Sequence, residues 1–450
     1  MEFTTDQKEA LRIFNEFDSS DSSYRCFILK GYAGTGKTTL ISHLVGVFKE
    51  EKRKIKLIAP TGRAAKVMSS YADFPSATIH KLIYFMSDSV EGSSLVLAKN
   101  LYKHTLFVVD EASMVGIESS NSEGSLLQDL LNYVFSGEGC SLMLVGDPGQ
   151  LPPVGQTDSP ALRKDFLAHH YSSIHVFEHT LTEVVRQAAH SQITTNATYL
   201  RSIKVAQAPY FSEVGKDVLR INGSELLDAL EVARSEGDES FVMLTISNKR
   251  AGQWNHEIRN RLFQYEESLV RGEWLMVVKN NYFWAADSEM GLIANGELMN
   301  IVRIVREEHL YGFDFIHVAA TFFSEPTKER NVICFKETLS ADAPNLSRER
   351  LKTLFFEIEK DYPGERNKRK RYQLILKNPY FNALQIKYAY CITAHKAQGG
   401  QWETVFVDYG FIPENMEKQE YIRWLYTCVT RSKTSLYLLN FPDDYFEKSA

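Results

Sequence analysis

The stretch GYAGTGKTT at residues 31–39 follows the apolar run CFILK and precedes the amphipathic stretch LISHLVGVFKEE. Gly31, Gly36, Lys37 and Thr38 fit the spacing G-x-x-x-x-G-K-[ST]. A strand, a glycine-rich turn and a helix in that order commit this part of the chain to an α/β unit. The glycines let backbone N–H groups turn inward around an anion, and the helix N-terminus adds partial positive charge. A glycine-rich turn without a ligand would not need the Lys-Thr pair at the helix start.

Further apolar runs repeat that unit. CFILK (26–30), IKLIAP (55–60), TLFVVD (105–110) and SLMLVG (141–146) are nearly continuous and end in Gly, Pro or Asp. Strands buried on both faces of a parallel sheet have this composition. The reading is a doubly wound α/β layout, in which ligands sit at the carboxyl ends of the strands. Between about 84 and 104 a Gly-Ser turn separates two short extended pieces, a small inserted hairpin. FVMLTISNKRAGQWNHEIRNRL (241–262) restarts a strand-then-helix unit. From about 270 to 385 short β-rich runs suggest a barrel-like insertion, and sheet composition returns in YAYCITAH, TVFVDYG and SLYLLN.

With 450 residues the chain is long enough for two or three domains. The expected division is 1–190 with the hairpin, 191–270 together with 386–450, and 271–385 as the insertion. Fifty-one basic against 57 acidic residues give a net charge of −6. That argues against a uniformly basic coat but not against a basic groove. KEEKRKIK (49–56) and ERNKRKR (365–371) fit either phosphate contacts or solvated helix ends. No run approaches the roughly 18 apolar residues of a membrane span. The five cysteines show no CxxC or zinc spacing and read as reduced thiols of a cytosolic protein.

The residues themselves imply ATP or GTP binding. Lys37 is placed to reach the β- and γ-phosphates and the Thr38 hydroxyl to ligate magnesium. In LFVVDEASM, Asp110 ends a strand and can hold Mg2+ through water, while Glu111 can orient or deprotonate an attacking water. That pair favours hydrolysis over phosphate transfer. Gln150 in LVGDPGQLPPV ends the next strand and is a γ-phosphate candidate, although an ordinary Gly-Pro turn fits as well.

Taken together, the motifs resemble those of superfamily 1 helicases, most closely the RecD/Dda-like 1B branch, in order over nearly the whole chain. FTTDQKEAL resembles the Q motif, which implies that Gln7 reads adenine. APTGRAAKVM resembles motif Ia, TIHKLI the next DNA-contact motif, VVDEASM motif II and GDPGQLPPV motif III. LTEVVRQ resembles motif IV, with Arg186 as an arginine finger. ITAHKAQGGQW resembles motif V, and LYTCVTRSK motif VI with Arg431 as the second finger.

The resemblance implies two RecA-like domains, a small hairpin and an SH3-like barrel insertion. ATP would lie on Gln7, Gly34, Thr35, Gly36, Lys37, Thr38 and Thr39, with Mg2+ on Thr38 and Asp110. Single-stranded DNA would meet Pro60, Thr61, Arg63, Thr78, His80 and Lys81 in the first domain. Its contacts in the second would be Ser247, Asn248, Thr393, His395 and Lys396. Taken alone, His80 and His395 fit capping or core roles; motif context moves them to the strand. Tyr84, Phe85, Trp254 and Trp402 fit base stacking or core equally.

The implied activity is ATP-dependent DNA unwinding, 5′ to 3′, by a monomeric motor on single strands and forks, with replication or repair proteins as candidate partners. A translocase that displaces proteins without unwinding, and a P-loop switch or kinase without DNA, are the rival readings. The direction, the natural DNA structure, an RNA preference and the role of 271–385 stay open at the level of sequence.

Overall fold

The computed structural model describes residues 2–89, 92–117, 125–185, 191–203, 207–212, 214–285 and 291–446, with backbone alone over 86–89 and 92–95. The first 181 residues carry strands β1 (Arg25–Gly31), β2 (Lys54–Ala59), β3 (Ser76–Thr78), β4 (Tyr84–Ser89), β5 (Gly92–Leu97), β6 (Thr105–Val109), β7 (Ser141–Gly146) and β8 (His175–Leu181). Six of them form one parallel sheet in the order β3-β2-β6-β7-β1-β8.

The apolar runs are continuous because both sheet faces are covered. Cys26, Ile28, Phe107, Val109, Leu142 and Leu144 enter one core. Their sequence neighbours Phe27, Leu29, Leu106, Val108, Met143 and Val145 enter the core on the other side. A one-residue slip of any strand would exchange the two sets, so register is strongly specified.

β4 and β5 pair antiparallel as a separate hairpin, with Tyr84 opposite Leu97. It springs directly from the short helix Ile79–Ile83, whose Ile83 carbonyl accepts from Ala98 N at 2.7 Å. Residues 98–104, which the sequence reading included in the hairpin, continue as irregular chain.

A second parallel sheet has the order β16-β10-β17-β18-β9, built from β9 (Val218–Ile221), β10 (Phe241–Thr245), β16 (Cys391–Thr393), β17 (Trp402–Asp408) and β18 (Ser432–Leu439). Between β10 and β16 the chain makes a closed barrel of β11 (Trp274–Val277), β12 (Leu298–Leu310), β13 (Phe313–Phe322), β14 (Glu325–Phe335) and β15 (Leu384–Tyr388). The barrel closes by a parallel β14–β15 pair, all its other pairs being antiparallel.

The β-rich insertion also holds two helices between β14 and β15, Arg348–Glu359 and Lys368–Leu376. Ser347 caps the first by accepting from Arg350 N, and Leu354 and Ile358 lie one turn apart. With Ile375 they bury against Phe313, Phe315 and Phe335.

The barrel also touches the first domain. Glu297, 2% exposed, accepts from Ser324 N at 2.8 Å, and an added Cβ on Gly62 would lie 2.4 Å from its Oε2. Lys66 donates to the Phe323 carbonyl and sits 3.8 Å over that ring. No described helix is long and apolar enough to cross a membrane. All five cysteines are buried and unpaired.

Candidate nucleotide site and strand groove

β1 delivers the phosphate loop to the start of the helix Lys37–Glu50. Gly34 and Gly36 take left-handed φ values of 77° and 84°, which any side chain would strain. Space forbids one as well: a Cβ on Gly36 would lie 2.2 Å from Gln7 Nε2. Lys37 Nζ donates to the carbonyls of Gly31 (2.5 Å) and Tyr32 (3.0 Å). Thr38 is exposed at the helix start. A cleft of about 670 Å3 opens beside it, lined by Phe3, Thr38, Thr39, Ser42, His43 and Tyr71.

Gln7 and Thr35 serve the loop itself. Gln7 is 3% exposed; its Oε1 accepts from Thr4 N at 3.1 Å in a capping box, and its Nε2 donates to Thr35 O at 3.2 Å. Thr35 Oγ1 donates to Tyr32 O at 2.8 Å. These bonds brace the cradle, and neither amide end of Gln7 points away from it unengaged.

Asp110 follows β6, as a parallel sheet places it. Its Oδ1 accepts from Glu111 N at 2.9 Å and its Oδ2 from the Tyr71 hydroxyl at 2.7 Å. Glu111 holds a left-handed φ of 53°, strain of the kind that collects at working sites. Withdrawal from water pushes both carboxyls up, opposed at Asp110 by the Tyr71 bond and at Glu111 by the Arg431 guanidinium. A raised pKa suits Glu111 to take a proton from water.

The second domain completes the site. Arg431 Nη1 lies 3.9 Å from Glu111 Oε1 while its guanidinium donates to Gly400 O, Thr427 O and Thr430 Oγ1. It is 4% exposed, so its position is fixed by these carbonyls. Gln150, also 4% exposed, has an Oε1 with no partner among the described residues, an orphaned acceptor that awaits a donor. Arg186 lies outside the described residues.

Several residues that the sequence did not single out bind the halves together. Tyr426 accepts from Ala33 N at 2.9 Å and donates to Asp147 Oδ2 at 2.7 Å; Asp147 Oδ1 accepts from Gly149 N at 2.8 Å. Leu151 N donates to Thr427 Oγ1 at 2.9 Å, and Gln398 Nε2 to Leu151 O at 2.7 Å. Asp147 had a signal, since it follows β7 as Asp110 follows β6. Tyr426 and Thr427 lie inside LYTCVTRSK, a motif that assigned a role to Arg431 and none to them.

The proposed strand residues form two rows. Thr61 and Thr78 cap the helices Gly62–Ala72 and Ile79–Ile83, accepting from Ala64 N and Lys81 N. Ser247 caps Asn248–Ile258 through Arg250 N, and Thr393 opens the short helix Ala394–Ala397. Pro60 precedes Thr61 at the end of β2. Lys81 is exposed, His80 and His395 are half-buried, and burial lowers both imidazoles so that they stay neutral near pH 7. Lys396 donates to Asn248 Oδ1 at 3.3 Å, and burial pushes its ammonium down to about 8.

Arg63 is placed differently from the other cations of the groove. It stacks 3.6 Å over the Trp402 ring and donates to Gln401 O at 3.2 Å. Burial and the nearby Arg431 push it down to about 9. Trp402, 6% exposed, is thus a platform for Arg63 within the protein. Of the other aromatics, Trp254 packs against the core beneath Arg250 and Phe85 is exposed.

Several known proteins are similar to this chain in sequence and fold. Residues 2–215 match the AAA domain family and 388–439 the UvrD-like helicase C-terminal domain family. An uncharacterized protein of Acanthamoeba polyphaga mimivirus is 23% identical over 96% of this chain and 99% of its own length. The ATP-dependent RecD2 DNA helicase of Deinococcus radiodurans is 31% identical over 51% of this chain, a stretch that spans 29% of that protein. The Pif1 helicase from Bacteroides, solved in complex with ADP-AlF3 and ssDNA, superposes with a TM-score of 0.50 at 17% identity, over 100% of this chain and 95% of that one. Two matched domains and a shared fold therefore make this chain similar to DNA helicases of the RecD/Pif1 type.

Proposed function

We propose that the chain converts ATP hydrolysis into 5′-to-3′ movement along single-stranded DNA and thereby unwinds forks. The observation that carries this reading is the approach of Arg431, from the second domain, to Glu111 on the floor of the first. A hydrolytic site divided between two domains turns over only when they close, so each turnover changes their separation.

ATP is the substrate that supplies the work. The glycine cradle fits its phosphates, Gln150 Oε1 is an acceptor suited to a water O–H rather than to phosphate, and the Thr38 hydroxyl and Asp110 carboxylate are the hard oxygen donors offered to Mg2+. Lys37 leaves its loop carbonyls to bind phosphate. Glu111 orients water and accepts its proton. Arg431 offsets charge that develops on the γ-phosphate oxygens, a contribution of about 10³–10⁵ in rate where such arginines are removed. Gly399, at φ 72°, brings the β16–β17 turn against Ala64 and Thr61, so the two strand-contact rows meet at the same cleft and move with it.

The test is a pair of assays on one preparation. Fork unwinding should require ATP and a 5′ single-stranded tail. Streptavidin displacement from single strands without any unwinding would make the chain a translocase, and a 3′-tail requirement would reverse the direction.

A further inference from the structure

We propose that the helical insertion in the barrel carries a second DNA contact, a docking face for the duplex arm of a fork. This rests on the reading of the chain as a DNA motor and assigns a task to the run ERNKRKR, which the nucleotide site and the strand groove do not use.

The run starts the helix Lys368–Leu376, whose cap Asn367 accepts from Arg369 N and Lys370 N. Five of the six residues 366–371 are cations, on a chain with net charge −6. Two of them are spent internally: Lys370 pairs with Glu365 at 3.0 Å and Arg371 with Glu359 at 2.9 Å. Arg366, Lys368 and Arg369 are exposed, and no carboxylate or other side-chain partner faces them among the described residues. Three uncompensated cations within four residues carry a cost of mutual repulsion, which a polyanion would relieve.

The place of the helix selects the occupant. Lys368–Leu376 packs beside β5, the outgoing strand of the hairpin. That hairpin springs from the helix bearing His80 and Lys81, so the cationic face adjoins the end of the proposed single-strand path. DNA that has not yet been separated lies beyond such an end, and it is double-stranded. Tyr372 and Phe356, 42% and 56% exposed, flank Phe355 on the same two helices. Base pairs opened at a junction offer faces for such rings. The contact is with phosphates and is therefore indifferent to sequence.

The experiment compares the wild type with an Arg366→Ala/Lys368→Ala/Arg369→Ala variant. Salt titrations measure binding to a single-stranded oligonucleotide and to a fork whose loading tail is that oligonucleotide. ATPase stimulation by the single strand is followed in parallel. Wild type should show a steeper slope of log K against log salt on the fork. The triple variant should lose that excess, by roughly one to three units at about 0.9 per duplex phosphate, while its single-strand slope and stimulated ATPase stay unchanged. An Arg366→Lys/Arg369→Lys variant should keep the fork slope, because charge and not shape carries it. An unchanged fork slope in the triple variant, or equal loss on both DNAs, would overturn the proposal. Absence of ATPase stimulation in the wild type would instead overturn the parent reading.

Discussion

The Tyr426 hydroxyl donates to Asp147 Oδ2 at 2.7 Å across the boundary between the two sheets, 279 positions apart in sequence. The same oxygen accepts from Ala33 N in the phosphate loop at 2.9 Å. One phenol therefore joins the cradle, the end of β7 and the helix Lys418–Val429 that leads to Arg431. Burial and the Asp147 charge hold that phenol protonated, as a donor must be.

Tyr426→Phe keeps the ring and removes only this link. Ala33 N–H and Asp147 Oδ2 then lose their partner, a loss of about 1–3 kcal/mol. ATPase assays should show kcat lowered roughly tenfold or more, with thermal unfolding little changed. A KM effect alone would place Tyr426 in nucleotide binding and not in closure.

Lys37 and Glu111 have separable tasks. Lys37→Ala should weaken nucleotide affinity and abolish turnover, whereas Glu111→Gln should bind ATP normally and barely hydrolyse it. Equilibrium binding of a fluorescent nucleotide beside steady-state ATPase separates the two. Near-normal hydrolysis by Glu111→Gln would remove Glu111 from the role of base.

Arg431→Ala should cut the maximal ATPase rate by about 10³–10⁵ and leave single-strand affinity in place, since its hydrogen bonds go to Gly400, Thr427 and Thr430 and to no strand-row side chain. The same substitution at Arg186 is expected to act in the same direction. Parallel loss of strand binding would show that Arg431 acts through the Gly400 turn that it holds.

Lys396 gives the strand groove a pH dependence. Burial places its ammonium at about 8, so it is charged below that pH and loses its charge as pH rises through it. Affinity for single-stranded DNA should fall between about pH 7 and pH 9, where exposed lysines are still charged. Lys387, also at about 8 and close enough to repel Lys396, titrates in the same window. Lys396→Arg should flatten most of the decline, with Lys387→Ala as the control for the remainder.

How much of this was legible depended on distance along the chain. Lys37, Thr38, Asp110 and Glu111 follow strand ends at fixed spacing, so local chemistry locates them. The alternating cores of β1, β6 and β7 were equally readable, because burial on both faces leaves continuous apolar runs. β8 was not: HVFEHTL sits at the sheet edge, half-buried, and has no continuous apolar run. The helix Arg348–Glu359 was overlooked beside stronger β signals, although Ser347 and the Leu354/Ile358 pair mark it. Arg63 reads as a phosphate ligand from its motif, and nothing local discloses Trp402, its stacking partner from the other domain. Tyr426 was hidden for the same reason, an apolar-looking residue whose partners are hundreds of positions away.

The most direct measurement is steady-state ATPase as a function of single-stranded oligonucleotide concentration. Hydrolysis should be slow without DNA and rise at least tenfold to a plateau, with the half-maximal oligonucleotide concentration increasing as salt is added. Both His80→Ala and His395→Ala should keep the basal rate and lose most of the rise. A DNA-independent rate in the wild type would contradict a motor whose two domains close on a strand.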